Sequence, residues 1–190
     1  MRVIETERLL IRWLTADDAP FILELLNEPS WLRYIGDKGV KTLEDARNYI
    51  EKGPCNMYRR LGFGLYLVAL KRTGDSIGIC GLIKRETLED VDVGFAFLQR
   101  FAGQGYAFES ASAVLSYGRR DFDLSRIVAI SSPDNEASAK LLQKLGFNFE
   151  RVTRLTPEAS EVKLYVQAES QSHPLARLSG ATGRLPVKKF

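Results

Sequence analysis

Residues 91–147, VDVGFAFLQRFAGQGYAFESASAVLSYGRRDFDLSRIVAISSPDNEASAKLLQKLGF, read as strand, glycine turn, amphipathic helix, strand, Asn-containing turn and second helix in one unbroken run. In VDVGFAFL, strand periodicity places Val91, Val93, Phe95 and Phe97 on one face and Asp92, Gly94, Ala96 and Leu98 on the other. Gly103 and Gly105 then stand just before a helical pattern that opens at Tyr106. Glycine has no Cβ and tolerates positive φ, so a turn of this composition lets a ligand come close to the backbone. The first N–H groups of the new helix have no intrahelical partner, and with the helix dipole they suit an anion such as a pyrophosphate. A Gly-x-Gly alone is as often an ordinary loop, and its weight here comes from the strand and helix C-terminal to it.

Arg126 to Ser131, RIVAIS, is a compact β-branched strand, followed by Ser132, Pro133 and Asp134 and then by Asn135 opening the helix EASAKLLQKLG. Asn135 is a good N-cap by residue type. Leu141, Leu142 and Leu145 supply an apolar stripe, Lys140 and Lys144 favour the C-terminal half, and Gly146 is placed to end the helix. Two strand-helix units in succession describe a cofactor cradle.

Working outward, ETERLLIRWL alternates like a single strand, and Thr15 is placed to cap a helix from about 16 to 27 with Asp17 and Asp18 in its first turn. Residues 29–60 are irregular, with a helix expected near 42–52. Phe63 to Lys71 and Ser76 to Ile83 read as a hairpin, and NFERV and VKLYVQA as the last two strands. The expected fold class is α/β (α+β): a mixed, mostly antiparallel twisted sheet of about seven strands flanked by helices. One domain is expected over residues 1–168, followed by a basic extension over 169–190. That extension is read as flexible, with docking on a partner subunit as the sharper alternative.

GFAFL, GQGYAFES, PDNEASAKLLQKLGF and KLYV resemble the GNAT superfamily of acetyl-coenzyme A dependent N-acetyltransferases, over roughly residues 3 to 167. ETERLLIRWLTADDAPFILELL resembles the branch that acetylates N-terminal amines of ribosomal proteins. The resemblance implies acetyl-coenzyme A as co-substrate, lying beside the 91–98 strand near Phe97 and Leu98. Its pyrophosphate would be held by N–H groups of Gly103, Gln104, Gly105, Tyr106 and Ala107. The family pattern places Gln or Arg three residues before a glycine that is followed two residues on by Gly or Ala. Aligned on Gly105 and Ala107, the preferred register, that position is Ala102 and Arg100 is left to reach a phosphate from the side, whereas the shifted register Arg100-x-x-Gly103-x-Gly105 restores the pattern but starts the helix two residues early. Asp92 stands where relatives often carry a Glu base, and its bland reading is the partner of a nearby Arg. Glu109 is a weaker candidate for the same role. Many members place a Tyr where this chain has Leu142, so Ser138 is the candidate proton donor to the departing thiolate, or else a small packing residue. Asn135 is read as a cofactor or water ligand as well as an N-cap. Trp31, Arg33 and Tyr34 are candidate acceptor-binding residues, with core burial the alternative for Trp31. The implied acceptor is a small-molecule or peptide amine, and a homodimer fits the family. The rival reading is a catalytically silent GNAT-fold module that binds coenzyme A.

Composition narrows the other classes. The net charge of +3 in 190 residues is carried by the last 22, where Arg177, Arg184, Lys188 and Lys189 face one acidic residue, so the body is formally neutral and gives no footprint for nucleic acid. Two cysteines make neither a disulfide framework nor a thiolate metal site, and the only histidine, His173, lies in the extension. No metal is expected. MRVIETERLL lacks the apolar core of a signal peptide, and no apolar run is long enough to span a bilayer, so a cytoplasmic setting is expected. A third glycine of G-x-G-x-x-G is replaced by Phe108, and no GKS or GKT occurs, which sets aside nicotinamide and P-loop folds.

Overall fold

Strand pairing decides the architecture. The computed structural model describes residues 2–168, so the C-terminal extension lies outside the described residues. The N-terminal stretch makes two strands, β1 (Arg2–Glu5) and β2 (Leu9–Trp13), because Thr6 N–H donates to the Leu9 carbonyl and Leu9 N–H to Thr6 Oγ1, each at 3.0 Å, closing a hairpin. The single strand expected there is corrected accordingly, and the sheet has eight strands where about seven were expected.

Thr15 and Asp18 form a capping box over a 3₁₀ turn at Ala16–Asp18, which leads into α1 (Ala19–Leu26). The irregular segment resolves into α2 (Pro29–Tyr34), α3 (Leu43–Ile50) and, after a wide turn containing Pro54, α4 (Asn56–Leu61). Thr42 and Asp45 cap α3 reciprocally. There follow β3 (Leu65–Leu70), β4 (Ser76–Ile83), β5 (Val91–Phe97), α5 (Tyr106–Phe122), β6 (Arg126–Ser131), α6 (Glu136–Lys144), β7 (Asn148–Arg154) and β8 (Glu161–Ala168).

The sheet runs β1-β2-β3-β4-β5-β6-β8-β7, antiparallel throughout except for β5 against β6. Alternation along each strand feeds two cores. Tyr66, Val68, Val91 and Val93 pack with Val114 and Leu115 of α5 and Leu142 of α6. Leu67, Ile79 and Leu98 pack on the opposite face with Ile22 and Leu25 of α1 and Ala46 and Ile50 of α3. The two faces read from VDVGFAFL are thus the two faces of the sheet: Phe95 and Phe97 lie against the first core, Ala96 and Leu98 against the second. No helix among the described residues is long and apolar enough to cross a membrane.

Candidate active site

The only parallel pair in this sheet is also its shortest. β5 and β6 are in register at Val91↔Ile127 and Asp92↔Val128 and then separate. Beyond that point β5 stays bonded to β4 as far as Phe97, and β6 stays bonded to β8 as far as Ser131, so their facing edges open a wedge. Leu98 N–H donates to the Ile77 carbonyl at 3.0 Å. Backbone direction alternates along a strand, so Gly94 and Ala96 also turn to β4, and the N–H and C=O groups of Val93, Phe95 and Phe97 face the wedge. Leu98 itself is spent: its carbonyl accepts from Phe101 N–H and its side chain is fully buried in the second core. Of the two strand residues expected to contact a cofactor, Phe97 meets the opening and Leu98 does not.

Both helices that follow the diverging strands begin at the open end of the wedge, the usual ligand position in such sheets. Their termini differ. At α6, Asn135 Oδ1 accepts from Ser138 N–H at 3.0 Å, so a side chain already serves one open donor. At α5 the N-cap is Gly105, no side chain caps the helix, and the first helical bond is Glu109 N–H to the Gly105 carbonyl. The N–H groups of Tyr106, Ala107 and Phe108 are therefore left open to an anion. Gly103 and Gly105 hold φ of 74° and 83°, a region that side chains with a Cβ avoid, so the glycines are needed to shape the turn. Gln104 is exposed, and its amide donates to the Arg100 carbonyl at 3.3 Å.

Arg100 corrects an expectation. It does not reach toward the turn; it pairs with Glu24 of α1 at 2.5 Å, tying the end of β5 to α1. The guanidinium beside the α5 N-terminus is instead that of Arg8, whose Nη1 donates to the Gln104 carbonyl at 3.0 Å. Its Nε meets Glu109 Oε2 at 2.6 Å. Burial pushes the Glu109 carboxyl up, yet hydrogen bonds from Thr6 and from Arg8 outweigh it and hold the group below the ordinary carboxylate range. Glu109 thus anchors the β1–β2 turn to α5 through Thr6 and Arg8.

Asp92 sits where the wedge begins and is 1% exposed. Arg85, from the turn after β4, meets it with Nε at 3.0 Å and Nη2 at 3.3 Å. Burial raises the Asp92 proton affinity and the Arg85 charge opposes it; burial wins. Tyr49 of α3 lies within the electrostatic reach of Arg85, and burial raises its phenol as well.

Ser138 lies one turn into α6, partly buried, with its hydroxyl unbonded among the described residues. The Asn135 cap gives a clean test. Asn135→Ala is expected to cost about 1 kcal/mol of stability, measured by denaturant titration, whereas Asn135→Ser keeps an uncharged cap and loses the amide donors. A cofactor contact through the amide then shows as weaker coenzyme binding in Asn135→Ser at nearly unchanged stability. Leu142, where the resemblance implied a Tyr in many members, is fully buried in the first core.

The three candidate acceptor residues divide. Trp31 is 4% exposed within the second core, its indole N–H pinning the Gly36 carbonyl at 3.2 Å, so it is withdrawn from the acceptor site. Arg33 is exposed and bridges from α2 to Asp134, next to Asn135, at 3.1 Å, with its guanidinium 5.0 Å from the Tyr34 ring centre. Arg33 thus stands beside the turn that opens α6, with Tyr34 behind its guanidinium. Among the described residues no cluster of His, Cys, Asp and Glu could hold a metal.

A family model described as an acetyltransferase (GNAT) domain matches residues 8–148, nearly three quarters of the chain and the whole of this wedge. The chain belongs to the GNAT acetyltransferase family. YoaA of Bacillus subtilis, named as an uncharacterized N-acetyltransferase, is 31% identical over 154 residues, 80% of this chain and 86% of that protein. A GNAT-family acetyltransferase structure from Bacillus anthracis superposes with a TM-score of 0.71 at 28% identity, covering 87% of this chain and 97% of that one. A ribosomal-protein N-acetyltransferase, RimL, solved in complex with coenzyme A, shares the fold at a TM-score of 0.75 and 20% identity, covering 89% and 98%. This GNAT member is thus an acyltransferase, and acetyl-coenzyme A is the co-substrate its family uses. Sequence reasoning missed Arg8 and Arg85. The only signal for Arg8 was its place inside ETERLL, and nothing local marked Arg85.

Proposed function

We propose that this GNAT enzyme moves the acetyl group of acetyl-coenzyme A onto a primary amine by direct attack within a ternary complex. The observation that carries the reading is the wedge: two parallel strands part after Asp92 and Val128 toward two helix N-termini, the first of them uncapped. An extended amide-bearing arm can bond the free backbone of Val93, Phe95 and Phe97 as a missing strand would. A diphosphate can take the donors around Gly103, Gln104, Gly105, Tyr106 and Ala107.

An alkyl ammonium ionises near 10.4 and an α-ammonium near 8, so most amine must give up a proton before it attacks. Asp92 is the proposed acceptor of that proton, relayed by water, because burial raises its affinity toward that of a useful base. The amine nitrogen bonds to the thioester carbonyl carbon while a β5 N–H stabilises the oxyanion. The carbon–sulfur bond then breaks as the nitrogen gives up its second proton to water, and the sulfur takes a proton from Ser138 Oγ, which that water restores. The products are an amide and free coenzyme A.

The acceptor is a small-molecule or peptide amine met in the cytoplasm, with Arg33 and Tyr34 at the rim of its path. A catalytically silent module is not favoured, since the matching family model is that of an acetyltransferase domain and relatives of similar length carry N-acetyltransferase names. Thiol release from acetyl-coenzyme A across a panel of amines tests the proposal. Ser138→Ala is expected to cut turnover about tenfold while leaving the coenzyme A dissociation constant within about twofold. Wild-type protein that binds no coenzyme A at millimolar concentration would sink the transferase reading.

A further inference from the structure

ETERLLIRWL does more than supply two strands. The turn between β1 and β2 delivers Arg8 to the loop in front of α5, across a sequence separation of 96 residues to Gln104. Nη1 is taken by the Gln104 carbonyl and Nε by Glu109, and the guanidinium carbon lies 4.5 Å from the Tyr106 ring centre. Glu109 is itself held by Thr6 Oγ1 at 2.6 Å and by the Arg8 N–H at 2.9 Å, so the plane of the guanidinium is fixed from both sides. Nη2 donates to no group among the described residues. It stands 3.3 Å from the point that a Cβ on Gly105 would occupy, beside the uncapped N–H groups, and the side chain is 44% exposed.

Of the other cations among the described residues, Arg100 is held by Glu24, while Lys144 lies 4.6 Å from the Phe108 ring centre on the α6 flank, with no hydrogen bond that fixes its direction toward the turn. We propose that Arg8 provides a cationic contact to the diphosphate of bound coenzyme A. This rests on the reading above that the α5 turn holds a diphosphate, and it gives the opening motif a role in binding. The fork geometry explains the residue type: two donors fix the side chain to the protein and a third is left for phosphate oxygen, which a lysine ammonium cannot arrange as a plane.

The test is calorimetric titration of the full chain with coenzyme A and with pantetheine, which has the arm but no diphosphate, using wild type, Arg8→Gln and Arg8→Lys at low and high salt. Arg8→Gln is expected to lower the preference for coenzyme A over pantetheine about tenfold and to flatten its salt dependence. Arg8→Lys should recover part of that preference. An unchanged preference in Arg8→Gln, with both ligands weakened alike, overturns the assignment and makes Arg8 a buttress of the loop only. Wild type that binds neither ligand removes the diphosphate reading together with this one, whereas wild type that binds coenzyme A beside an unaltered Arg8→Gln removes this one alone.

Discussion

Gly105→Glu is expected to weaken coenzyme A binding by about 100-fold or more while leaving the protein folded. Three effects act together at this position. The backbone holds φ at 83°, which costs a residue with a Cβ about 1 kcal/mol, well below the stability of an ordinary domain. The nearest atom to the new Cβ would be Arg8 Nη2 at 3.3 Å, a contact that a shift of a few tenths of an ångström at the end of the side chain relieves without breaking its hydrogen bonds, so no backbone has to move. The added carboxylate would then sit among the open N–H groups of α5 and beside Arg8, at a local concentration that added ligand cannot match. Gly105→Gln separates charge from bulk: it carries the same strain and similar volume without the anion, and it should lose less affinity. Calorimetry with coenzyme A, alongside thermal melts of both variants, checks the prediction. Glu and Gln variants that bind coenzyme A like wild type would place the diphosphate elsewhere.

The features behind this expectation differ in how far the sequence announces them. The run from Val91 to Gly146 is readable because its signals are local: period-two strands, glycines at positive φ, an Asn three residues before the N–H it caps, and Gly146 at φ 84°. What was lost is non-local. Arg100 and Glu24 are 76 residues apart, Arg8 and Glu109 are 101 apart, and no periodicity links either pair. The fold-back at Thr6 was hidden because its turn is made by a hydroxyl and uncrowded residues, without a glycine or proline to mark it. Within residues 29–60 the helix expected near 42–52 is there as α3, marked by its Thr42–Asp45 cap, whereas α2 and α4 went unread because each is six residues long, too short to show a period, and neither has a side-chain cap. Trp31 shows the same limit from the side of function: a large aromatic in an irregular segment reads equally as pocket or core, and only the contact with Gly36 decides for core.

The second large effect is expected at Asp92. Asp92→Asn removes the proposed proton acceptor and should lower kcat about 100-fold with little change in coenzyme A affinity. Substitution alone does not separate a base from a structural partner of Arg85, so the pH profile carries the argument. With Asp92 as the base, turnover rises as pH increases through its pKa. Burial sets that pKa above the ordinary aspartate value, and the Arg85 guanidinium keeps it from rising further. Arg85→Met removes the restraint, so the rising limb should move to higher pH. Tyr49, a buried phenol that also feels the Arg85 charge, ionises only at alkaline pH and leaves this limb unaffected. The same shift has a stability consequence of defined sign. A carboxyl whose folded pKa is raised contributes stability that is fully present below its unfolded pKa and is lost as pH rises through its folded pKa. Arg85→Met should therefore destabilise the protein most at neutral pH, by about 2 kcal/mol, and less at mildly acidic pH, where Asp92 takes up its proton. The figure is kept below that for a fully buried pair because the Arg85 side chain is 34% exposed. Denaturant titration across pH, read against the pH profile of turnover, joins the two. A limb that stays in place in Arg85→Met while stability falls as described would leave Asp92 as a structural partner of Arg85 and assign the base to another group.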